Sequence, residues 1–160
     1  MIKYMNLIGI KARKASEYKV TTEVKNKVLN DYAKLIKNEK KFIINQNSKD
    51  INYARKRGLK ENLIKRLHLN ENKLNGIINS ILKIAKLRDP INNTLEKWKR
   101  PNGLSIKRVS IPIGVIGVIY ESRPNVTSDV ASLCFKSGNV VILKGGSEAV
   151  SYTHLTLPTI

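Results

Sequence analysis

Cysteine, acidic residues and aromatic residues are all scarce in this sequence, and long apolar runs are absent. The single cysteine, Cys134, excludes an internal disulfide and favours a reducing compartment. The longest apolar stretch, 111–120, has the length of a strand and falls well short of the roughly 18–20 residues that a membrane-spanning helix needs. We therefore expect a cytoplasmic protein with no membrane partner, although the basic, acid-poor start up to Ser16 also has the composition of a mitochondrial presequence.

The shortage of acids leaves 30 Lys and Arg residues against 12 Asp and Glu residues, a formal net charge of +18. Such an excess usually points first to nucleic acid. Here the lysines are spread along residues 1–110, and the aromatic residues, at 6%, form no basic-aromatic stacking platform. We interpret the charge as a solvated, lysine-rich surface and expect no nucleic-acid partner. The alternative is a basic helical module that binds nucleic acid.

Up to residue 90 the apolar residues recur at three- and four-residue steps, which is the spacing of amphipathic helices. The pattern predicts helices over 21–36, over 40–56 and over 70–87, with two threonines as N-caps of the first. Gly58 suits the end of the second helix, and Asp89-Pro90 stops the third.

After residue 90 the pattern changes to extended runs. The segments 94–99 and 104–110 flank Arg-Pro-Asn-Gly, which is turn chemistry, and they predict a projecting β-hairpin. The short apolar segments 115–120 and 140–143 predict strands of a parallel sheet, and 125–137 between them has helical spacing. Strand, helix and strand with short links form a right-handed βαβ unit. The predicted fold class is therefore α/β.

Two loops that follow the predicted strands carry polar side chains, and ligands bind outside the carboxyl ends of strands in open α/β sheets. In the first loop, Glu121, Ser122 and Arg123 precede Asn125, and the planar Arg123 fork suits a phosphate or carboxylate. Asn125 suits two roles, donation to a developing oxyanion or a plain N-cap of the next helix, and the spacing alone does not choose between them.

The second loop contains Lys144, Gly145, Gly146, Ser147 and Glu148. Two glycines let the backbone approach a ligand, and a helix starting after them offers free N–H groups. The lysine at the strand end suits hydrogen bonds to a nucleotide ribose or phosphate. The loop matches neither the dinucleotide fingerprint nor the P-loop spacing, so by itself it is a weak signal.

Cys134 shares a helical spacing with Val126 and Val130, which indicates a small core residue and argues against a nucleophile. No His, Cys, Asp or Glu residues have metal-ligand spacing, and we expect no metal. The last residues, 150–160, contain no lysine and break the composition abruptly. We interpret them as a translated sequencing adapter, an artefactual tail on a truncated reading frame. A genuine divergent C-terminus is the alternative.

Taken together, these segments closely resemble one family. Gly-Val-Ile-Gly-Val-Ile-Tyr-Glu-Ser-Arg-Pro-Asn-Val-Thr at 114–127 and Lys-Ser-Gly-Asn-Val-Val-Ile-Leu-Lys-Gly-Gly-Ser-Glu-Ala at 136–149 are similar to γ-glutamyl phosphate reductases, the glutamate-5-semialdehyde dehydrogenases of the aldehyde dehydrogenase superfamily. Upstream segments such as Arg-Lys-Arg-Gly-Leu at 55–59 look alike too, and the resemblance covers residues 5–149.

The resemblance implies reduction of L-glutamate 5-phosphate by NADPH to the 5-semialdehyde and phosphate, a step of L-proline biosynthesis. The family's catalytic cysteine lies in a later domain, so we expect this chain to be inactive alone. By resemblance, Asn125 stabilises the oxyanion, Lys144 contacts the adenosine ribose side of NADP(H), and Glu121, Ser122 and Arg123 form the substrate side. Gly145, Gly146, Ser147 and Glu148 complete the cofactor loop.

The resemblance also divides the chain. Residues 1–90 become the helical part of the nucleotide-binding domain, 91–111 a hairpin arm used for oligomerisation, 112–149 the start of an NADP-binding βαβ unit of aldehyde-dehydrogenase type, and 150–160 the tail. It implies a homo-oligomer in the full-length enzyme and an upstream glutamate 5-kinase as a partner. The reductase half of a bifunctional pyrroline-5-carboxylate synthase is an alternative, but the short start before the first helix argues against a kinase domain upstream.

Overall fold

The structure, a computed structural model, describes residues 2–121 and 123–146. Along the chain the described elements form a helical part, then a hairpin and then a βαβ unit, which confirms the predicted α/β class. The division of the chain at residues 90 and 111 stays a prediction. The elements are α1 (Ile2–Ser16), α2 (Thr22–Asn38), α3 (Lys40–Lys56), α4 (Glu61–Leu67), α5 (Glu71–Lys86), β1 (Thr94–Lys99), β2 (Ser105–Val109), β3 (Val115–Ile119), α6 (Pro124–Lys136) and β4 (Val140–Lys144).

Helices α2, α3 and α5 form where the periodicity predicts them, because side-chain caps and apolar faces agree. Thr21 Oγ1 accepts a hydrogen bond from Val24 N, and Asn70 Oδ1 accepts one from Lys73 N at 2.9 Å, so both helix starts satisfy free N–H groups. The apolar faces meet in one core, and α2 and α5 form its largest contact. That core contains Leu29, Ala33, Ile36, Ile43, Leu69, Leu74, Ile77, Ile78, Ile81, Ile84 and Ala85.

A second, smaller core joins α3 to the short helix α4, which the periodicity does not predict. Ile51, Ala54, Ile64 and Leu67 are buried together there. A helix of 7 residues is marginal by itself, so α4 depends on this packing and on its ends being held. Asn47, fully buried on α3, donates to Leu67 O at 3.0 Å and accepts from Leu69 N at 2.8 Å.

The predicted hairpin is confirmed, with a three-residue turn. β1 and β2 pair antiparallel, and Trp98 lies opposite Ile106. Gly103 N donates to Arg100 O at 2.9 Å, and Gly103 itself has a φ of +86°. The left-handed position therefore falls on the glycine, as in a type I turn followed by a bulge.

The predicted βαβ unit is also confirmed. β3 and β4 are parallel neighbours in one sheet, and α6 connects them. Helix α6 packs between β4 and the α2 and α5 pair, while α1 lies against β4 and β3. The helix begins one residue earlier than predicted, at Pro124, and β4 ends one residue later, at Lys144. In β3, Ile119 is 86% exposed, so part of the sheet surface is uncovered.

A polar network under the hairpin joins α2 to the loop after α5. Lys25 is only 1% exposed, and its Nζ lies 2.8 Å from Asp89 Oδ2, which also accepts from Thr22 Oγ1 at 2.9 Å. Burial opposes ionisation of Asp89, but hydrogen bonds from Lys25, from Ile91 N and from Thr22, together with the lysine charge, outweigh it and lower the pKa of Asp89. The buried ammonium is thus compensated by an ionised carboxylate.

Candidate functional site

The carboxyl ends of β3 and β4 meet at one edge of the sheet. Ile119 lies beside Lys144 in the parallel register, and Tyr120 N donates to Lys144 O at 3.1 Å. The two predicted loops therefore leave the sheet side by side, at the place where open α/β sheets bind ligands. Of the predicted site residues, Ser122, Ser147 and Glu148 lie outside the described residues.

Tyr120, the first residue after β3, packs between the two loops. Its hydroxyl lies 2.6 Å from Thr127 Oγ1 on α6, and Thr127 is fully buried, so the ring is held in place. A Cβ built on Gly145 would lie 3.2 Å from the Tyr120 hydroxyl oxygen. The loop after β4 therefore packs its bare backbone against this ring. The use predicted for Gly145, close approach of the backbone to a nucleotide, stays a prediction.

Asn125 does not cap α6. Arg123 occupies the N-cap position without a side-chain capping bond, and Pro124 is the first helical residue. Proline is favoured there because its ring fixes a helical φ and it has no N–H to satisfy. Asn125 is exposed in the first turn, and its carbonyl accepts from Ser128 Oγ at 2.9 Å. The N-cap interpretation of Asn125 is wrong, and donation by its side-chain amide to an oxyanion stays a prediction.

Two cationic side chains, Arg123 and Lys144, are exposed at this edge, one in each loop. Lys144 Nζ donates to Gly145 O at 3.2 Å, which keeps the ammonium group near the loop that follows β4. An exposed ammonium and an exposed guanidinium on neighbouring loops form a surface complementary to phosphate and carboxylate groups.

A groove of about 480 Å³ opens beside the first loop, between α4 and the end of β3. Arg66 Nη1 lies 2.8 Å from Glu121 Oε2 across its rim. Arg66 lines this groove, and the sequence does not reveal its place there, because α4 is too short for its periodicity to be recognised. The groove is lined by Leu59, Leu63, Leu67, Ile119, Tyr120 and Gly146 besides the ion pair.

Cys134 faces the interior, as its spacing predicts. It is buried on α6, and burial raises the pKa of its thiol, which works against formation of the thiolate nucleophile. Within 2–121 and 123–146, no group of three His, Cys, Asp or Glu side chains is arranged to hold a metal ion. Over the same residues, no helix is long and apolar enough to cross a membrane.

Curated relatives of this chain include proteins named gamma-glutamyl phosphate reductase. The protein of Nautilia profundicola is 47% identical over 135 residues, which is 84% of this chain and 33% of the relative. The protein of Citrifermentans bemidjiense is 45% identical over 155 residues, 96% of this chain and 37% of the relative. The chain thus spans about a third of the length of the relatives that it matches. No protein-family model matches the chain.

Solved structures give the same result. The crystal structure of gamma-glutamyl phosphate reductase from Thermotoga maritima superposes with a TM-score of 0.87 at 40% identity, over 91% of this chain and 36% of that one. The enzyme of that name from Saccharomyces cerevisiae gives a TM-score of 0.89 at 33% identity, over 94% of this chain and 39% of that one. The resemblance predicted from the sequence is confirmed.

Proposed function

Because this chain is homologous to about a third of each gamma-glutamyl phosphate reductase that it matches, we propose that it supplies the strand-end binding edge of such a reductase. The reaction is the NADPH-dependent reduction of L-glutamate 5-phosphate to L-glutamate 5-semialdehyde and phosphate. The bond to the phosphate oxygen breaks when a cysteine thiolate attacks the acyl carbon, and the resulting thioester accepts a hydride as its carbon–sulfur bond breaks. The observation that carries the proposal is the convergence of the loops after β3 and β4 at one edge.

The loop after β4 binds the nucleotide. The exposed Lys144 ammonium pairs with the phosphate on the adenosine ribose of NADPH, and the bare backbone of Gly145 and Gly146 lets the cofactor approach. NADPH, when bound, supplies the hydride. The packing of Tyr120 against Gly145 supports this assignment, because it keeps that loop close to the end of β3.

The loop after β3 serves the substrate. Arg123 pairs with the acyl phosphate, and the Asn125 amide donates to the oxygen that gains charge when the acyl carbon is attacked. The nucleophilic cysteine comes from the two thirds of the reductase fold that this chain does not cover, since Cys134 is buried. The setting is the cytoplasm, with a glutamate 5-kinase supplying the acyl phosphate.

Calorimetric titration of the purified chain with NADPH and NADH tests the cofactor assignment. We expect Lys144→Ala to weaken NADPH binding about tenfold and NADH binding much less, because only NADPH carries the extra phosphate. Lys97→Ala, which removes an exposed lysine from β1, is the matched control and should change neither. Equal losses for both nucleotides, or binding that disappears at moderate salt like that of a nucleic-acid protein, would contradict the proposal.

The same chain should show no turnover of L-glutamate 5-phosphate with NADPH, because its sole thiol is buried and protonated at neutral pH. NADPH absorbance measures this directly. Turnover above the protein-free blank that vanishes in Cys134→Ser would show that the chain carries its own nucleophile and would overturn this part of the proposal.

A further inference from the structure

The ion pair between Arg66 and Glu121 contributes little to the stability of the fold. The Arg66 side chain is 45% exposed and the Glu121 side chain is 66% exposed, so water screens their attraction. Their 2.8 Å contact nonetheless bridges two distant parts of the chain at the rim of a groove. Both side chains line that groove and are accessible from solvent.

The backbone behind Arg66 is fixed more firmly than that of an isolated short helix. Asn47 binds the main chain of the next residue, Leu67, and also that of Leu69. Lys73 Nζ donates to Lys65 O at 3.3 Å and to His68 O, which holds the last carbonyls of α4. The guanidinium therefore projects from a preorganised support. One of its N–H groups is engaged by Glu121, and it has no other partner among residues 2–121 and 123–146, so a second carboxylate can bind it.

We propose that Arg66 and Glu121 recognise the zwitterionic head of an α-amino acid, with Arg66 on the α-carboxylate and Glu121 on the α-ammonium group. Adjacent charges of opposite sign match the two charges that share the α-carbon of such a ligand. The apolar groove walls at Leu63 and Ile119 suit its methylene chain. Glu121 lies in the loop between β3 and α6, and Asn125 follows in the first turn of α6, so the pair is close in sequence to the proposed reacting edge.

This inference rests on the proposed function, because it assigns the amino-acid head of the substrate to a named pair. It makes the pair a determinant of substrate specificity, since neither side chain needs to touch the acyl phosphate. It also explains why two accessible side chains from α4 and the β3 loop meet where the fold gains little from their contact.

The test uses L-2-amino-5-phosphonopentanoate, a non-hydrolysable mimic of L-glutamate 5-phosphate, and 5-phosphonopentanoate, which lacks the ammonium group. Binding of each to the purified 160-residue chain is measured by calorimetry or NMR titration. The chain should bind the amino compound about tenfold more tightly than the compound without the amino group. Glu121→Gln should bring this ratio close to one.

Arg66→Gln should weaken binding of the amino compound about tenfold or more, because it removes a charge-assisted pair with the carboxylate. Lys65→Gln, on the same helix and with the same charge change, should leave binding unchanged. Circular dichroism of both variants verifies that α4 has not unfolded. Equal losses from Arg66→Gln and Lys65→Gln, a ratio that survives Glu121→Gln, or no saturable binding at millimolar concentration would overturn the inference.

NADPH titrations of the same samples separate this inference from the proposed function. NADPH binding that depends on Lys144, combined with a failed phosphonate test, would refute the Arg66 and Glu121 assignment alone. Loss of both would refute the reductase assignment as well.

Discussion

Single buried polar residues hold distant segments of this chain together. Lys25 and Asn47 are both almost fully buried, and each has a specific partner supplied by another element. Burial of a polar or charged group is costly unless its hydrogen bonds are made inside the protein. Substitution of either partner should therefore cost far more than substitution of an exposed side chain of the same type.

Asp89→Asn should destabilise the chain by about 3 kcal/mol, because the buried Lys25 ammonium loses its compensating charge. Since the folded-state pKa of Asp89 is lowered, its contribution is fully present above the unfolded pKa of about 3.9 and is lost as the pH falls through the folded value. Urea unfolding measured as a function of pH should show this loss of unfolding free energy at acid pH in the wild type and not in Asp89→Asn. Asp31→Asn, in an exposed pair with Lys34, is the control and should cost less than about 0.5 kcal/mol.

Asn47→Ala should cost about 2–4 kcal/mol, because it leaves Leu67 O and Leu69 N without their partner in a buried region. The exposed Asn45 on the same helix provides the comparison, and Asn45→Ala should be neutral or slightly stabilising. Chemical denaturation measures both. Equal effects of the two substitutions would mean that the end of α4 does not depend on Asn47.

Whether an element could be predicted from the sequence depends on how far local pattern, rather than packing against distant residues, determines it. The long helices α2, α3 and α5, the hairpin and the βαβ unit are predicted to within a residue or two, because caps, periodicity and turn residues all agree. Helix α4 is missed, since its 7 residues span too few turns to show a period. Helix α1 is missed as well, because its partners β3 and β4 lie at the other end of the sequence.

The candidate site also has parts that local sequence predicts and parts that depend on packing. Convergence of the Asn125 and Lys144 loops is predictable, because parallel neighbouring strands end at the same edge. The N-cap alternative for Asn125 fails because Pro124 takes the first helical position. Arg66 is not predictable from local sequence, since its contact with Glu121 depends on how α4 packs beside the sheet.

Two glycines that follow helices allow the cost of backbone strain on substitution to be compared with the added cost of steric crowding. Gly58 and Gly138 both have a φ of +70°, which a side chain tolerates poorly. A Cβ at Gly58 meets open space, whereas one at Gly138 would lie 2.9 Å from Ile91 Cδ1 and 3.2 Å from Pro112 Cγ.

Gly58→Ala should therefore cost about 1 kcal/mol for strain alone. Gly138→Ala should cost about 1–3 kcal/mol more, because Ile91 and Pro112 must also move away. Thermal unfolding of the two variants against the wild type gives the difference. Equal costs would mean that the loop around Ile91 yields freely and does not hold the base of the hairpin.

For the whole molecule, the hairpin offers a built-in reporter of association. Trp98 on β1 is the sole tryptophan of the chain and is partly exposed, and Leu95 and Leu104 of the arm are more exposed still. If the arm pairs with a second copy, as the resemblance predicts for the full-length enzyme, tryptophan emission should shift to shorter wavelength as the protein concentration rises.

Leu95→Lys should abolish that shift, because it places a charge on the paired surface. Ile113→Lys, which removes another exposed apolar side chain outside the arm, should leave it intact. Sedimentation velocity gives the independent mass. Emission that never changes with concentration, or an identical response to both substitutions, would count against an associating arm.

The contact of α1 with β4 has a consequence for synthesis on the ribosome. Helices α2, α3 and α5 can bury their shared core once residue 87 has emerged, because all of its buried members precede that point. Helix α1 emerges before them but makes its contact with β4 only when that strand, the last described one, appears. Tyr4, Met5 and Ile10 stay more than half exposed even in the folded chain, so this apolar surface of α1 should attract general chaperones during and after synthesis.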